Sequence, residues 1–265
     1  MLFVGSCFAD SIGQRFVEEK FRAVVNPYGT MYNPASVLHT VERFLREQAE
    51  APRVVFMTLG TNHVYRLKSS GEIVDNCQKR PQRLFDEEKL TVGECVGYLQ
   101  RAIELLRSRR PDVQIVLTVS PIRYRKYGFH ESQLSKATLL LAVDQLVSPS
   151  PQPPSPNTQH PSPNIHHPTP VTYFPAYEIV LDELRDYRFY NDDMLHPSSQ
   201  AVEYIWQQLV AHYLSPSARQ FLDDWRPIKQ ALQHRPFHPD SDDYRQFLAQ
   251  AHADEAALLA KYGKG

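Results

Sequence analysis

The stretch Leu2-Phe3-Val4-Gly5-Ser6-Cys7-Phe8-Ala9-Asp10 decides how the chain is read. Three apolar residues followed by Gly-Ser have the character of a buried strand ending in a tight turn, because glycine tolerates backbone angles that other residues avoid. Beyond the turn, Phe8, Ile12 and Phe16 recur at the spacing of one helix face. Ser6 therefore stands where a strand hands over to a helix. An open parallel sheet places its ligand sites beyond the carboxyl ends of the strands, where helix N-terminal N–H groups also point. A hydroxyl at that place is expected to be exposed, with backbone donors beside it, placed for chemistry and equally for capping the helix that follows.

Val4-Gly5-Ser6-Cys7 also has the form of the box at which bacterial lipoproteins are cleaved and lipidated. That reading calls for a basic start and an apolar stretch of about 7–15 residues before the box. Only Met1 to Val4 precede Gly5, so lipidation of Cys7 is not expected if the given start is the true one. The 265 residues suffice for one α/β domain with an appendage. The 29 Lys plus Arg against 30 Asp plus Glu leave no charge excess to attract nucleic acid or an anionic membrane surface. No apolar run approaches the roughly 20 residues of a membrane span. Cys7, Cys77 and Cys95 are odd in number and lack paired spacing, which favours a reducing compartment, the cytoplasm. Oligomeric state leaves no signature in the sequence.

Strand-like and helix-like segments alternate, which favours a parallel sheet covered on both faces. Phe21–Val25 reads as a second strand, and Asn33-Pro34 opens a helix carrying Val37, Leu38, Val41, Phe44 and Leu45 on one face. Arg53–Leu59 is a third strand, a Thr91–Glu94 capping box starts a third helix, and Val113–Val119 supplies a fourth strand. Residues 148–170 are rich in proline, which removes backbone donors, and read as a surface loop. His160, His166 and His167 within it have no Cys or carboxylate at a ligand spacing, so no metal is expected. The division expected is a catalytic domain over 1–215 and a helical extension over 216–265. In that extension Tyr244, Phe247, Leu248, Ala251, Leu258, Leu259 and Tyr262 keep helical spacing behind a Ser241 cap, a stripe suited to packing on the domain.

The chemistry-bearing residues fall in four blocks. Asn191–Ser198 holds Asp193 three residues before His196, and an Asp so placed on a loop can turn back to accept the Nδ1 hydrogen of the imidazole. Pro197 suits the first position of the helix that follows. Gly29, in Asn26-Pro27-Tyr28-Gly29-Thr30, and Asn62, in Leu59-Gly60-Thr61-Asn62-His63-Val64-Tyr65, each follow a strand-like segment. A glycine N–H and an asparagine amide suit an oxyanion, being neutral, directional donors held in place before charge develops.

In this order the four blocks resemble the SGNH, or GDSL-like, hydrolase superfamily. Gly5-Ser6-Cys7-Phe8-Ala9 is similar to the name-giving motif of the GSCFA family within it. The likeness extends through NPYGTMYNP, TLGTNHVYRL, NCQKRP, TVSPIRY, QLSKATLLLA, YFPAYEIVLDELRDYRFY, NDDMLHPS and HRPF. The resemblance implies a flavodoxin-like three-layer α/β/α sandwich with a parallel sheet. It also implies Ser6 as nucleophile, His196 as general base and then acid, and Asp193 as its orienter. Ser6 N–H, Gly29 and Asn62 would be the oxyanion donors, and no cofactor is implied.

The activity implied is an esterase working through an acyl-serine on a small-molecule or carbohydrate ester. The alternatives are an O-acyltransferase using the same residues and a binding protein of this fold that has lost turnover. His63 and Tyr65, beside the third block, and Arg123, His130, Gln133 and Lys136, after the fourth strand, are the substrate contacts expected at the carboxyl edge. Gln133 and Lys136 could equally decorate an exposed helix face.

Overall fold

In the computed structural model, which describes residues 1–75, 77, 80–147 and 170–263, the opening stretch divides at Ser6. Strand β1 (Leu2–Gly5) precedes it and helix α1 (Cys7–Glu18) follows. The chain continues through β2 (Val24–Val25), α2 (Pro34–Glu47), β3 (Val54–Leu59), β4 (His63–Leu67), β5 (Ile73–Val74), β6 (Phe85–Lys89) and α3 (Val92–Arg109). After these come β7 (Gln114–Val119), α4 (Phe129–Val147), β8 (Val171–Tyr173) and α5 (Ala176–Glu178), which runs into a π-turn over Ile179–Leu184. Helices α6 (Ser199–Tyr213), α7 (Pro216–Gln233) and α8 (Asp242–Tyr262) complete the order. Residues 148–169 of the Pro-rich segment, with His160, His166 and His167, lie outside the described residues.

Five strands form one parallel sheet in the order β2-β1-β3-β7-β8. Side chains alternate between the faces of a strand, and the apolar residues of β1 and β3 use both. Phe3 and Phe56 turn to one face, where their rings stack at 4.7 Å and Phe16 of α1 meets Phe3 at 5.1 Å. The Arg15–Glu203 ion pair, 2.9 Å, ties α6 to α1 on that side. Leu2, Val4, Val55 and Met57 turn to the other face and share a buried core with Val41 of α2, Leu99 and Ile103 of α3 and Leu139 of α4. The result is the three-layer α/β/α arrangement.

The caps read from sequence form as expected. Asn33 accepts from Ser36 N–H at 2.9 Å, Thr91 and Glu94 close a capping box, and Ser241 accepts from Tyr244 N–H. Three features differ. The second strand is confined to Val24–Val25, because Phe21 N–H is taken by Phe16 O at the exit of α1 and its ring packs edge-on against Phe16. Pro197 is not the first residue of α6; it pairs with Tyr190 in an isolated bridge, and Ser198 caps the helix by accepting from Ala201 N–H. Between β3 and α3 stands a three-stranded antiparallel sheet, order β5-β4-β6, that the sequence reading did not anticipate. Its strand β6, Phe-Asp-Glu-Glu-Lys, is charged at four successive positions and lacks the alternation that marks a strand.

By contacts the chain divides into two units, residues 1–205 and 206–265, with the division inside α6. In the second unit α7 and α8 pair, and Asp224 of α7 accepts from Lys261 Nζ (2.9 Å) and Tyr262 OH (2.8 Å) of α8. The bond from Lys261, one from Gln220 Nε2 (2.8 Å) and that from Tyr262 hold the Asp224 carboxyl down at about 2.

Gly5 sets the geometry of the first turn. Its φ is +141°, and a Cβ there would stand 2.0 Å from Thr58 O of the neighbouring strand. Its N–H donates to Asn26 Oδ1 (2.9 Å), its carbonyl accepts from Met31 N–H (2.8 Å), and Asn26 also donates to Asp10 (2.7 Å). Gly5→Ala is therefore expected to destabilise the fold by more than about 3 kcal/mol, combining backbone strain with a backbone clash. Chemical denaturation of the purified variant, or its failure to accumulate in soluble form, checks this.

Candidate active site

Ser6, expected from its place at the strand-to-helix turn to be exposed, is fully buried, because its turn is packed against β3 and the start of α1. As N-cap of α1 its Oγ accepts from Phe8 N–H at 3.3 Å, a long contact that holds the hydroxyl at the positive end of the helix. Cys7 turns elsewhere, its Sγ 3.6 Å from Tyr32 OH. The Ser6 N–H continues the β1–β3 ladder by donating to Thr58 O at 3.1 Å.

The Asp193–His196 pair forms within one turn. Asp193 Oδ2 lies 2.5 Å from His196 Nδ1, while Oδ1 accepts from the N–H groups of Leu195 (2.8 Å) and His196 (3.0 Å). These hydrogen bonds, led by the two with His196, pull the Asp193 carboxyl down to about 2 although it is exposed. Met194, with φ +60°, makes the turn, and Asn191 N–H donates to His196 O at 2.8 Å to close the loop. With Nδ1 bound to a carboxylate, Nε2 is the nitrogen left to exchange protons. Among the described residues no hydrogen bond joins Ser6 Oγ to His196.

Two of the three expected oxyanion donors are engaged. Ser6 N–H serves Thr58 O, and Gly29 N–H closes a turn on Asn26 O at 2.9 Å. Each backbone N–H has a single hydrogen, so neither is available in this arrangement. Asn62 differs, because its Nδ2 carries two hydrogens and donates one to Leu90 O at 2.7 Å. That bond orients the amide and leaves the second hydrogen uncommitted.

Residues 1–53 and 44–209 match the GSCFA family, and residues 225–264 match the GSCFA domain protein, C-terminal domain. The chain belongs to the GSCFA family. No curated protein matches it. Among solved structures, this GSCFA chain is similar to a mutant acetyl esterase with acetate ion (13% identity, TM-score 0.43) and to a carbohydrate esterase family 3 from Talaromyces cellulolyticus (13%, 0.41). Each likeness covers 84% of this chain and 97% of the other.

Around the GSCFA motif residues, the expected substrate contacts fall in different places. Arg123 holds the histidine loop: its N–H donates to Leu195 O (3.1 Å) and its guanidinium to Met194 O (3.0 Å), over the rings of Phe129 and Tyr190. With Gln133, which accepts from Tyr177 OH, it lines a cleft of about 220 Å³ shared with Val180, Leu181, Tyr187 and Tyr190. His63, the first residue of β4, is buried and stacked on Tyr127 at 3.9 Å, with Glu87 at 2.9 Å from Nδ1 and Glu131 at 3.5 Å from Nε2. Tyr65 OH meets Tyr127 OH at 3.1 Å and Lys126. His130 is exposed. Glu87 was missed by sequence reasoning because β6 gave no strand signal to bring it to His63, and Tyr127 and Glu131 because they lie far along the chain, beyond β7.

Lys136 is not on an exposed helix face. It is 2% exposed, and its Nζ donates to Gly60 O and Ser120 O, both at 2.7 Å. Next to it Ser135 Oγ accepts from Asn62 N–H (2.9 Å) and meets Thr61 Oγ1, and one turn earlier Ser132 Oγ accepts from Tyr124 N–H (3.2 Å). These residues share one face of α4 and tie the segment after β3 to the segment after β7. Among the described residues no group of three or more His, Cys, Asp or Glu could hold a metal ion, and no helix is long and apolar enough to cross a membrane.

Burial, with no carboxylate in ion-pair range among the described residues, lowers Lys136 from 10.5 to about 7. The titratable groups facing it are the rings of Tyr124 and Tyr177. Between those two values the unfolded chain binds a proton that the native protein does not, so this group makes stability rise with pH across that window and leaves it flat below pH 7. Lys136→Met is expected to remove this rise, seen by comparing denaturant midpoints of the two proteins at pH 7 and about pH 9.5.

Proposed function

We propose that the chain is a serine-type acyl hydrolase, an esterase acting through an acyl-Ser6 intermediate. The observation that carries the reading is the Asp193–His196 turn, in which one carboxylate fixes both the imidazole and the loop that presents it. A histidine with Nδ1 so engaged has the tautomer and orientation of a general base. Ser6 supplies the complementary half, a hydroxyl at the carboxyl end of a parallel strand and the N-terminus of a helix.

In this mechanism Ser6 Oγ leaves Phe8 N–H, comes within hydrogen-bond reach of His196 Nε2, and attacks the acyl carbon as its proton passes to Nε2. Such bonds are commonly loose in a ligand-free enzyme and tighten with substrate. Negative charge gathers on the carbonyl oxygen, where the free hydrogen of Asn62 Nδ2 is one donor. Collapse of the tetrahedral species breaks the ester C–O bond, and His196 returns the proton to the departing alcohol. Water then attacks the acyl-serine with His196 again as base, releasing the carboxylic acid and restoring Ser6. Asp193 keeps its charge throughout and stabilises the imidazolium. The cleft of Arg123, Gln133, Tyr187 and Tyr190 offers stacking and hydrogen bonding suited to a carbohydrate or small polar alcohol portion.

Ser6→Ala is expected to lower kcat on p-nitrophenyl acetate by about 10⁴-fold or more, and Asp193→Asn by about 10³–10⁴-fold, while Cys7→Ala keeps most of it. The reverse ranking of Ser6 and Cys7 would sink the assignment. Product analysis with and without a polyol acceptor checks that water is the acceptor.

A further inference from the structure

An acyl-transfer site needs donors aimed at the developing oxyanion, and two of the three expected here are spent on Thr58 O and Asn26 O. The Tyr124 hydroxyl is in the opposite condition. It is buried and has no hydrogen-bond partner among the described residues. Leaving a buried hydroxyl unpaired costs stability, and such a group calls for an explanation.

Its position supplies one. A Cβ added to Gly60 would stand 2.2 Å from Tyr124 OH, so the hydroxyl lies directly against the segment that leads to Asn62. The Tyr124 ring meets Tyr32 edge-on at 5.9 Å, and Tyr32 OH contacts Cys7 Sγ, next to Ser6. The hydroxyl is thus placed where the segments following β1, β3 and β7 converge, the edge at which parallel sheets bind their ligands. It is also held from behind. Tyr124 N–H donates to Ser132 Oγ, and the ring lies over Lys136 Nζ at 5.0 Å.

We propose that Tyr124 is a catalytic residue whose hydroxyl donates a hydrogen bond to the carbonyl oxygen of the acyl group as negative charge develops there; this rests on the serine-hydrolase reading above. A phenol is a competent oxyanion donor, and the hydroxyl joins Asn62 Nδ2 where the Ser6 and Gly29 amides are engaged. Burial pushes the Tyr124 phenol well above its ordinary value, so it keeps the proton it must share. Gly60 has no side chain because any Cβ would occupy the space this hydroxyl uses.

The test is the rate at which a fluorophosphonate probe labels the full-length protein, measured with the thermal midpoint for the wild type, Ser6→Ala and Tyr124→Phe. Phosphonylation of Ser6 builds negative charge on the phosphoryl oxygen much as acylation does on the carbonyl. Tyr124→Phe is expected to slow labelling by about 10²-fold while its Tm stays level or rises, since the change removes only a hydroxyl without a partner. Labelling of Tyr124→Phe at the wild-type rate, with Ser6→Ala unlabelled, overturns the Tyr124 proposal alone. So does a Tyr124→Phe protein that loses stability or fails to fold, because the hydroxyl is then structural. A wild type that resists the probe, or a Ser6→Ala protein that reacts, overturns both this proposal and the hydrolase reading.

Discussion

The structure depends on how closely β1 approaches β3. With no side chain at Gly5, Thr58 O sits where a Cβ would otherwise project, and the ladder runs one residue beyond the strand to the Ser6 N–H. That extra rung fixes the direction in which the chain enters α1, and with it the direction of the Ser6 hydroxyl. The same glycine is bound from the side by Asn26 and Met31, so the loop after β2 is anchored to the turn it flanks. One small residue thereby sets the spacing of two strands, the start of a helix and the course of a loop.

Helix α4 organises the rest of the carboxyl edge. Its buried polar residues, Ser132, Ser135 and Lys136, bond to Tyr124, Asn62, Gly60 and Ser120, groups that belong to segments far apart in the chain. Beyond Ser120, Arg123 reaches the carbonyls of Met194 and Leu195. Alignment of the histidine loop is therefore inherited from β7 and α4 through backbone carbonyls. A buried lysine is costly to maintain, and here it satisfies two carbonyls that would otherwise end their strands without a donor.

Four of the five strands of the parallel sheet were legible in the sequence because they lie in largely apolar runs separated by helices with recognisable caps, Asn33 and Thr91 standing where the chain marked them; β8, three residues long, was not read. The Asp193–His196 turn was legible for a different reason, since a three-residue spacing suffices to bring the two side chains together. What escaped was whatever depended on partners remote in sequence. Lys136 has the character of a surface residue until Gly60 and Ser120 are brought to it. Tyr124 carries no local sign that its hydroxyl will be left alone. The β4–β6 sheet was hidden because charged side chains occupy nearly every position of β6, where pairing with β4 and not burial makes the strand.

The exposed setting of Asp193 has a consequence for the solution behaviour of the site. Its low protonation point arises chiefly from hydrogen bonds given by the His196 and Leu195 groups, with the direct charge attraction to His196 contributing least. A carboxyl held below its ordinary value in the folded protein contributes stability above that value and loses it as the pH falls through the folded one. The latch that presents the imidazole is accordingly limited by acid: it holds above the ordinary carboxylate value of 3.8 and loosens as the pH falls towards about 2, where a protonated Asp193 no longer serves as acceptor for the Leu195 and His196 N–H groups.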